Sequence, residues 1–205
     1  MPAKLDLEQI RDFWTRQARE HGESPSVSWS DRMIIEMEIR EILNRLSDGD
    51  RILDVGCATG FSTVQFAAQR KAQVRGVDYI PEMIEQARQR LSDLQGRLQG
   101  TVDFSQGDVT ALAEPGETYD KVVAIRVIIN LCDWTQQLQG LQECSRVLKR
   151  GGIFLLSEAL GRLGDQMGIE IRPETHAGFE QQLARQRSAM NFSAPAGCLR
   201  WYKTP

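Results

Sequence analysis

The feature that most constrains this chain is a short apolar strand that runs directly into a turn of small residues. Residues 51–60 read Arg-Ile-Leu-Asp-Val-Gly-Cys-Ala-Thr-Gly, and a helical pattern begins at Phe61. A strand, turn and helix of this kind let the backbone approach a ligand closely and direct the N–H groups of the helix N-terminus towards it. The run therefore predicts a ligand-binding turn at the end of a buried strand.

After this turn the sequence alternates between strand-like and helix-like segments. We predict strands at 51–55, 73–78, 101–105, 119–125 and 152–158. We predict helices near 61–70, 81–95 and 134–149, with a short helical turn near 109–113. Repeated β-α-β units indicate an α/β fold with a doubly wound, Rossmann-like, mostly parallel sheet, which binds ligands at the carboxyl ends of its strands.

Two amphipathic helices are predicted before the first strand, and we interpret residues 1–47 as an N-terminal helical cap. Gly22 and Pro25 mark the expected end of the first helix. Ser28 with Asp31 resembles a capping box at the start of the second. These helices precede the first core strand, so the β-α-β layout does not require them.

The chain is long enough for one domain with a substantial core, and we predict a single domain over residues 1–205. Residues 48–158 form its predicted core. Residues 159–205 form a C-terminal segment, with a helix near 176–191 and a possible strand at 198–203. We expect this segment to be shortened or truncated.

Composition and charge narrow the possible functions. Hydrophobic residues make up 41% and charged residues 26% of the chain, as in soluble globular proteins. The net charge of −3 gives no support for a nucleic-acid partner, and no apolar run reaches membrane-spanning length. The cysteines and histidines lack metal-ligand spacing, so we expect no metal. A cytoplasmic location is our default expectation, and the oligomeric state is left open.

Five motifs, in the right order and spacing over residues 51–158, resemble those of the class I S-adenosylmethionine-dependent methyltransferases of the small-molecule type. The motifs are Asp-x-Gly-x-Ala-x-Gly at 54–60, Val-Asp-Tyr at 77–79, Gly-Asp-Val at 107–109, the stretch 126–134 after the fourth strand, and Arg-Val-Leu-Lys-Arg-Gly-Gly at 146–152. In this family the first motif usually has glycine where this chain has Ala58. A methyl group there still allows close approach.

The resemblance implies that S-adenosylmethionine (SAM) is the cofactor and that the first turn binds it. The residues of this turn assigned to the cofactor are Asp54, Gly56, Cys57, Ala58 and Gly60.

Asp78 closes the second strand about 20 residues beyond the turn, where a carboxylate accepts hydrogen bonds from ribose hydroxyl groups. The alternative is an ordinary solvated aspartate at a strand end. In the resembling family the residues just after this acid flank the adenine, which here implies Tyr79 and Ile80.

Asp108 and Val109 follow the third strand. The resemblance implies that Asp108 accepts a hydrogen bond from the adenine amino group and that the next backbone N–H meets a ring nitrogen. Asp108 also has the position of a helix N-cap, and one carboxylate has acceptor sites enough for both roles.

Arg126 and Asn130 are polar residues in the apolar stretch after the fourth strand. By resemblance this stretch supports the methionine part of the cofactor and borders the acceptor, so Arg126 is a candidate cofactor residue. The alternative is that Arg126 pairs with a surface carboxylate and Asn130 caps a turn. Glu158 ends the fifth strand on the ligand side, where it could face the acceptor.

Phe13 and Trp14 lie on the first helix and are too large to leave exposed without cost. We predict that residues 1–30 form a mobile lid over the donor site, with Trp14 near the cofactor or acceptor. The alternative is a permanently docked helix that only shields the sheet edge. The two rings could also belong to the core, as apolar residues on a helix stripe usually do.

The sequence thus predicts an enzyme that transfers a methyl group from SAM to a small-molecule acceptor by in-line displacement. Methyl transfer from a sulfonium needs mainly positioning and exclusion of water, and we assign no catalytic residue. One alternative is a catalytically inactive SAM-binding regulatory or scaffold subunit. A less favoured alternative is a nucleotide-dependent dehydrogenase, which would require Gly-x-Gly-x-x-Gly in place of Gly-x-Ala-x-Gly.

Overall fold

The computed structural model describes residues 6–22, 32–94, 96–158 and 199–202. Its helices are α1 (Leu7–His21), α2 (Arg32–Leu43), α3 (Phe61–Gln69), α4 (Pro81–Asp93) and α5 (Trp134–Val147). Its strands are β1 (Arg51–Val55), β2 (Gln73–Asp78), β3 (Thr101–Gln106), β4 (Tyr119–Ile125), β5 (Leu148–Ser157) and β6 (Leu199–Tyr202). A 3₁₀ turn, Ile128–Asn130, follows β4.

The strands form one sheet in the order β3-β2-β1-β4-β5-β6, and every described pairing is parallel. Chain order reverses at β1, which lies between β2 and β4. Ligands in open α/β sheets bind outside the carboxyl ends of the strands at such a reversal. The predicted doubly wound fold is confirmed, and its binding edge lies at the end of β1.

Alternation along the strands gives the sheet two buried faces. In β1, Leu53 packs on the face covered by α5, whereas Ile52 packs on the opposite face with α2 and α3. In β4, Val122 likewise packs on the face covered by α5, and Val123 packs on the opposite face. Successive strand side chains point to opposite faces, so both layers of helices fix the register of the sheet.

The largest differences between the predicted elements and the structure lie at two places. No helical turn forms near 109–113, because the Asp108 carboxylate accepts hydrogen bonds from Thr110 and a short bridge joins Asp108 to Ala111. The fifth strand begins at Leu148 instead of 152, and it contains an irregularity in its pairing with β4 near Gly151, whose φ is +77°.

The cap is described in part. Gly22 ends α1 with a φ of +54°, as predicted. Pro25, the capping box at Ser28 and Asp31, and the predicted helix near 176–191 lie outside the described residues. The possible strand at 198–203 corresponds to β6, which pairs with β5.

Candidate active site

A cavity of about 610 Å³ lies at the carboxyl ends of the strands. Most of its wall comes from α1, the turn after β1, the end of β2, the loop after β3 and the stretch after β4, and α4 and α5 complete it. Among the predicted site residues it is lined by Gly56, Ala58, Asp78, Tyr79, Ile80, Asp108, Val109 and Arg126. The volume falls within the roughly 300–1,000 Å³ typical of small-molecule sites.

The turn after β1 is held by backbone and carboxylate contacts to β2. The Cys57 N–H donates to the Val77 carbonyl (3.1 Å), and the Ala58 N–H donates to Asp78 Oδ2 (2.8 Å). Gly56, Ala58 and Gly60 have φ values of +65°, +47° and +72°. This left-handed conformation favours glycine. Ala58 is the one residue of the three with a Cβ, so its conformation costs some stability.

Neighbouring side chains leave no room for a Cβ at either glycine of this turn. A Cβ at Gly56 would overlap Val127 Cγ2, and one at Gly60 would lie 2.6 Å from Phe104 Cζ. The space beside Gly56 is therefore filled by the protein itself. Sequence reasoning missed Val127 as the residue that excludes a side chain at Gly56.

Asp78 closes β2 and faces the cavity. Its two carboxylate oxygens accept from the backbone, Oδ1 from Ile80 N–H (2.9 Å) and Oδ2 from Ala58 N–H (2.8 Å). Burial raises the pKa of Asp78 above its usual range. Each oxygen has further acceptor capacity, so the carboxylate can hold the turn and still receive hydrogen bonds from a ligand.

Tyr79 and Ile80 have different positions on the wall. Tyr79 is 45% exposed at the cavity, and its carbonyl accepts from the Gln106 side chain. Ile80 is buried and packs with Met83 against Ala18 of α1. Ile80 therefore connects the cavity wall to the N-terminal helix.

Asp108 and Val109 line the cavity on the loop after β3. Oδ1 of Asp108 accepts from both the backbone N–H (2.8 Å) and the hydroxyl (2.7 Å) of Thr110. No hydrogen bond from the described residues reaches Oδ2. The carboxylate thus closes a turn with one oxygen and leaves the other for a ligand.

Asp54 and Cys57 lie beneath the turn, outside the lining of the large cavity. Asp54 borders a small adjoining space, is buried, and accepts from the Thr63 hydroxyl (2.7 Å). Burial raises the pKa of Asp54 to about 7, and the neighbouring Asp78 contributes to the increase. The Cys57 side chain packs in a core with Phe104, and burial raises its pKa well above the usual value.

Arg126 lines both the large cavity and the small space beside it. Its guanidinium pairs with Glu38 of α2, which is itself buried, and Glu38 Oε1 accepts from the Ser157 hydroxyl (2.8 Å). Sequence reasoning missed Glu38. The signal was its spacing: Glu38 lies three positions after Ile35 and next to Ile39, on the apolar face of α2.

The stretch after β4 is fastened to the end of β5. The Arg126 N–H donates to the Ser157 carbonyl (2.7 Å). Glu158 Oε1 accepts from Val127 N–H (2.9 Å) and Ile128 N–H (2.8 Å). Asn130 donates through its amide group to the Arg126 carbonyl (2.6 Å). Glu158 therefore contacts backbone N–H groups of the wall, and this orientation corrects the expectation that it faces the acceptor.

Two aromatic residues of α1 close one side of the cavity. Phe13 and Trp14 both line it, and their rings meet edge to face with centroids 5.1 Å apart. Phe13 is 42% exposed. Trp14 therefore lies at the cavity, and its position near the cofactor or acceptor stays a prediction.

The fold and this cavity define an α/β domain with a cavity of small-molecule size beside the turn after β1. Within the described residues no group of three His, Cys, Asp or Glu side chains could hold a metal ion. Among the same residues, no helix combines the length and apolar character needed to cross a bilayer.

Comparison with known proteins identifies the family. Residues 52–152 match the model of a methyltransferase domain. The chain is 33% identical over 109 residues to a demethylmenaquinone methyltransferase of Deinococcus radiodurans, a match that covers 53% of this chain and 42% of that protein. It is 32% identical over 146 residues to an erythromycin 3''-O-methyltransferase of Saccharopolyspora erythraea, covering 70% of this chain and 43% of that protein.

A solved structure agrees with this assignment. A SAM-dependent methyltransferase of Methanosarcina mazei has a TM-score of 0.53 and 26% identity to this chain, with 57% of this chain and 55% of that chain covered. The chain belongs to the class I SAM-dependent methyltransferases, as the sequence motifs predict. It spans less than half the length of the two curated relatives above.

Proposed function

We propose that the chain transfers a methyl group from SAM to a small-molecule acceptor. The observation that carries this proposal is that the turn after β1, Asp78 and Asp108 all border one cavity of about 610 Å³. These groups lie on separate segments of the chain and meet only at the carboxyl edge of the sheet. The named acceptors of the two curated relatives, a demethylmenaquinone and erythromycin, support an acceptor of the small-molecule class.

The nucleoside part of SAM fits the side of the cavity formed by β2 and the loop after β3. Asp78 would accept hydrogen bonds from the ribose hydroxyl groups. Each of its oxygens already accepts one hydrogen bond from the backbone and can accept another. Tyr79 and Ile80 would flank the adenine. Asp108 would accept from the adenine amino group through Oδ2, and the backbone N–H of Val109 would meet a ring nitrogen.

The methionine part fits between the turn and the stretch after β4. Gly56, Ala58 and Arg126 border both the large cavity and the small space beside it. Arg126 would approach the carboxylate of the methionine part while Glu38 holds its guanidinium. Asp54, Cys57 and Gly60 would serve cofactor binding indirectly, by fixing the shape of the turn.

The bound cofactor supplies a sulfonium methyl group that is already activated for transfer. The residues of this chain then have to position the acceptor and exclude water. Phe13 and Trp14 of α1 and Ile129 and Leu131 after β4 supply apolar walls suited to that task. No side chain is assigned as a catalytic acid or base.

We further propose that residues 1–205 act as one domain with a cap at 1–47 and a core at 48–158. A cytoplasmic location is proposed as well. Cys57 and Cys144 are free cysteines, which fits a reducing compartment. With a net charge of −3, no nucleic-acid partner is proposed.

Calorimetry with SAM, S-adenosylhomocysteine (SAH) and NAD, in parallel, tests the donor site. We expect the two sulfur nucleosides to bind and NAD not to bind. Transfer of a labelled methyl group from SAM to a panel of quinols, sugar hydroxyls and amines then tests the activity. Binding without transfer to any acceptor would favour the inactive SAM-binding subunit, and preference for NAD would favour the dehydrogenase.

A further inference from the structure

The stretch 126–131 forms one wall of the proposed donor site, and its backbone is held by the end of β5. Arg126 has a φ of +54°, so the chain bends sharply as it leaves β4. The 3₁₀ turn Ile128–Asn130 follows at once. The first N–H groups of such a turn have no partners within it and need acceptors from elsewhere.

Glu158 provides one of these acceptors. Its Oε1 atom receives hydrogen bonds from Val127 N–H (2.9 Å) and Ile128 N–H (2.8 Å). The residue is only 3% exposed. A single carboxylate oxygen therefore fixes the backbone at the point where the wall turns into the cavity.

Val127 lies beside the turn after β1, which forms the opposite wall of the cavity. Its Cγ2 atom fills the space beside Gly56 where a Cβ would stand. Val127, Ile129 and Arg126 all line the cavity. A shift of the backbone at Val127 would therefore change both the stretch after β4 and its fit to the turn after β1.

The second oxygen of Glu158 carries a cost in stability. Oε2 is buried and has no hydrogen-bond partner among the described residues. A buried carboxylate with an unmet oxygen is unfavourable for folding. Burial also raises the pKa of Glu158 to about 8. Features that cost stability are expected where the structure serves a site.

We propose that Glu158 is a positioning residue that fixes the 126–131 wall and thereby sets the shape of the donor site. The inference rests on the proposed function, since the ligand it concerns is the SAM donor. The role requires an acceptor oxygen at the place of Oε1, and it does not require the negative charge. This distinction makes the role testable with conservative variants.

Two variants separate the acceptor oxygen from the ionisable group. Glu158→Gln keeps an oxygen at the same reach and removes the ionisable carboxyl group. Glu158→Asp keeps a carboxyl group and withdraws the oxygen from both N–H groups by one methylene. The matched control is Asp120→Ala, because Asp120 also accepts a backbone N–H, that of Arg51 (2.9 Å), but lies at the opposite end of β4 from the cavity.

SAH affinity by calorimetry is the first measurement. We expect Glu158→Gln to bind within about twofold of the unmodified protein and Glu158→Asp to bind about tenfold more weakly, on the scale of one or two lost hydrogen bonds. Asp120→Ala should bind normally. Normal SAH affinity in Glu158→Asp, or equal losses in both Glu158 variants, would overturn the proposal.

Amide hydrogen exchange is the second measurement and needs no ligand. We expect the amides of Val127 and Ile128 to exchange faster in Glu158→Asp than in Glu158→Gln, while those of β1 stay unchanged. Equal exchange in the two variants would contradict the role. Failure of the unmodified protein to bind SAH or SAM would overturn the proposed function itself. If the unmodified protein binds SAH and Glu158→Asp binds equally well, only the role of Glu158 is overturned.

Discussion

At the scale of single residues, Asp78 gives the sharpest test of the donor site. Asp78→Ala removes the carboxylate that would accept the ribose hydroxyls, so SAM binding should weaken by about 1.5–3 kcal/mol, the scale for hydrogen bonds to a charged group. Calorimetry on the folded variant measures this loss. Asp103→Ala is the control, because Asp103 lies on the neighbouring strand β3 and pairs with Arg75 at the surface.

The structure adds a second consequence of Asp78→Ala. Asp78 also holds the Ala58 and Ile80 N–H groups, so the variant should lose stability as well as affinity. Its thermal midpoint should fall while the protein remains folded at 25 °C. Unchanged SAM affinity would reject the ribose assignment.

Gly56 tests the turn after β1. The sequence predicts that Gly56→Val abolishes cofactor binding in a folded protein, because the side chain would occupy the donor's space. The structure changes the reason, since Val127 already fills that space. We therefore expect Gly56→Val to lose both stability and SAM binding. Urea unfolding and calorimetry measure the two losses.

Two further variants separate the causes at Gly56. Gly151 also has a positive φ, +77°, but a Cβ there would meet nothing within 4 Å. Gly151→Ala should therefore show only the backbone cost, about 1–2 kcal/mol. Adding Val127→Ala to Gly56→Ala should recover part of the lost stability. If Gly56→Ala is no worse than Gly151→Ala, the contact with Val127 has no consequence.

At the scale of elements, α1 is the part whose behaviour is least determined by the sheet. Its described contacts include Ala18 with Ile80 and Met83, and an exposed ion pair between Arg19 and Glu82. Exposed pairs of this kind contribute little, about 0–1 kcal/mol. This small interface is consistent with a helix that is ordered more firmly when the cavity is filled, and the lid stays a prediction.

Hydrogen exchange in α1, with and without SAM, decides between the lid and the docked helix. We expect protection of α1 to increase when SAM binds, because Phe13 and Trp14 would then pack against an occupied cavity. The buried helix α3 serves as the internal reference and should not change. Equal protection of α1 in both states would reject the lid.

At the scale of the whole molecule, acids whose pKa is raised by burial make stability depend on pH, and Asp54 and Glu158 show this most clearly. Burial raises the pKa of Asp54 to about 7 and that of Glu158 to about 8. In an unfolded chain both values lie near 4. At pH values between the unfolded pKa and the raised native pKa, the native state binds more protons than the unfolded state. The contribution of these groups to stability is therefore greatest at low pH and declines as the pH rises.

We therefore expect the free energy of unfolding to fall between about pH 5 and 8, by up to about 1.4 kcal/mol per pH unit for each group. Urea unfolding across this range is the measurement. Between about pH 7 and 8 only Glu158 of the two still titrates. Glu158→Gln should flatten the decline in that interval. Stability that rises from pH 5 to 8 would contradict the assignment.

The sequence by itself determined the features that depend on local backbone and burial pattern. The strand and turn at 51–60, the acids that follow the second and third strands, and the order of strands and helices follow from short apolar runs, helical stripes and residues that form turns. These signals lie within a few positions of one another in the chain. Local pattern therefore places Asp78 and Asp108 at or just after strand ends, and the resemblance to the family implies their roles towards the cofactor.

Only the tertiary structure decided which groups from distant segments meet. Glu38 and Arg126 are 88 positions apart, and Glu158 reaches back 31 positions to Val127. Local propensity carries no information on such pairings, because they depend on how α2 and the ends of β4 and β5 pack around one edge of the sheet. The same packing put Val127 beside Gly56 and turned Glu158 towards the backbone, away from the acceptor role that its position after β5 suggested.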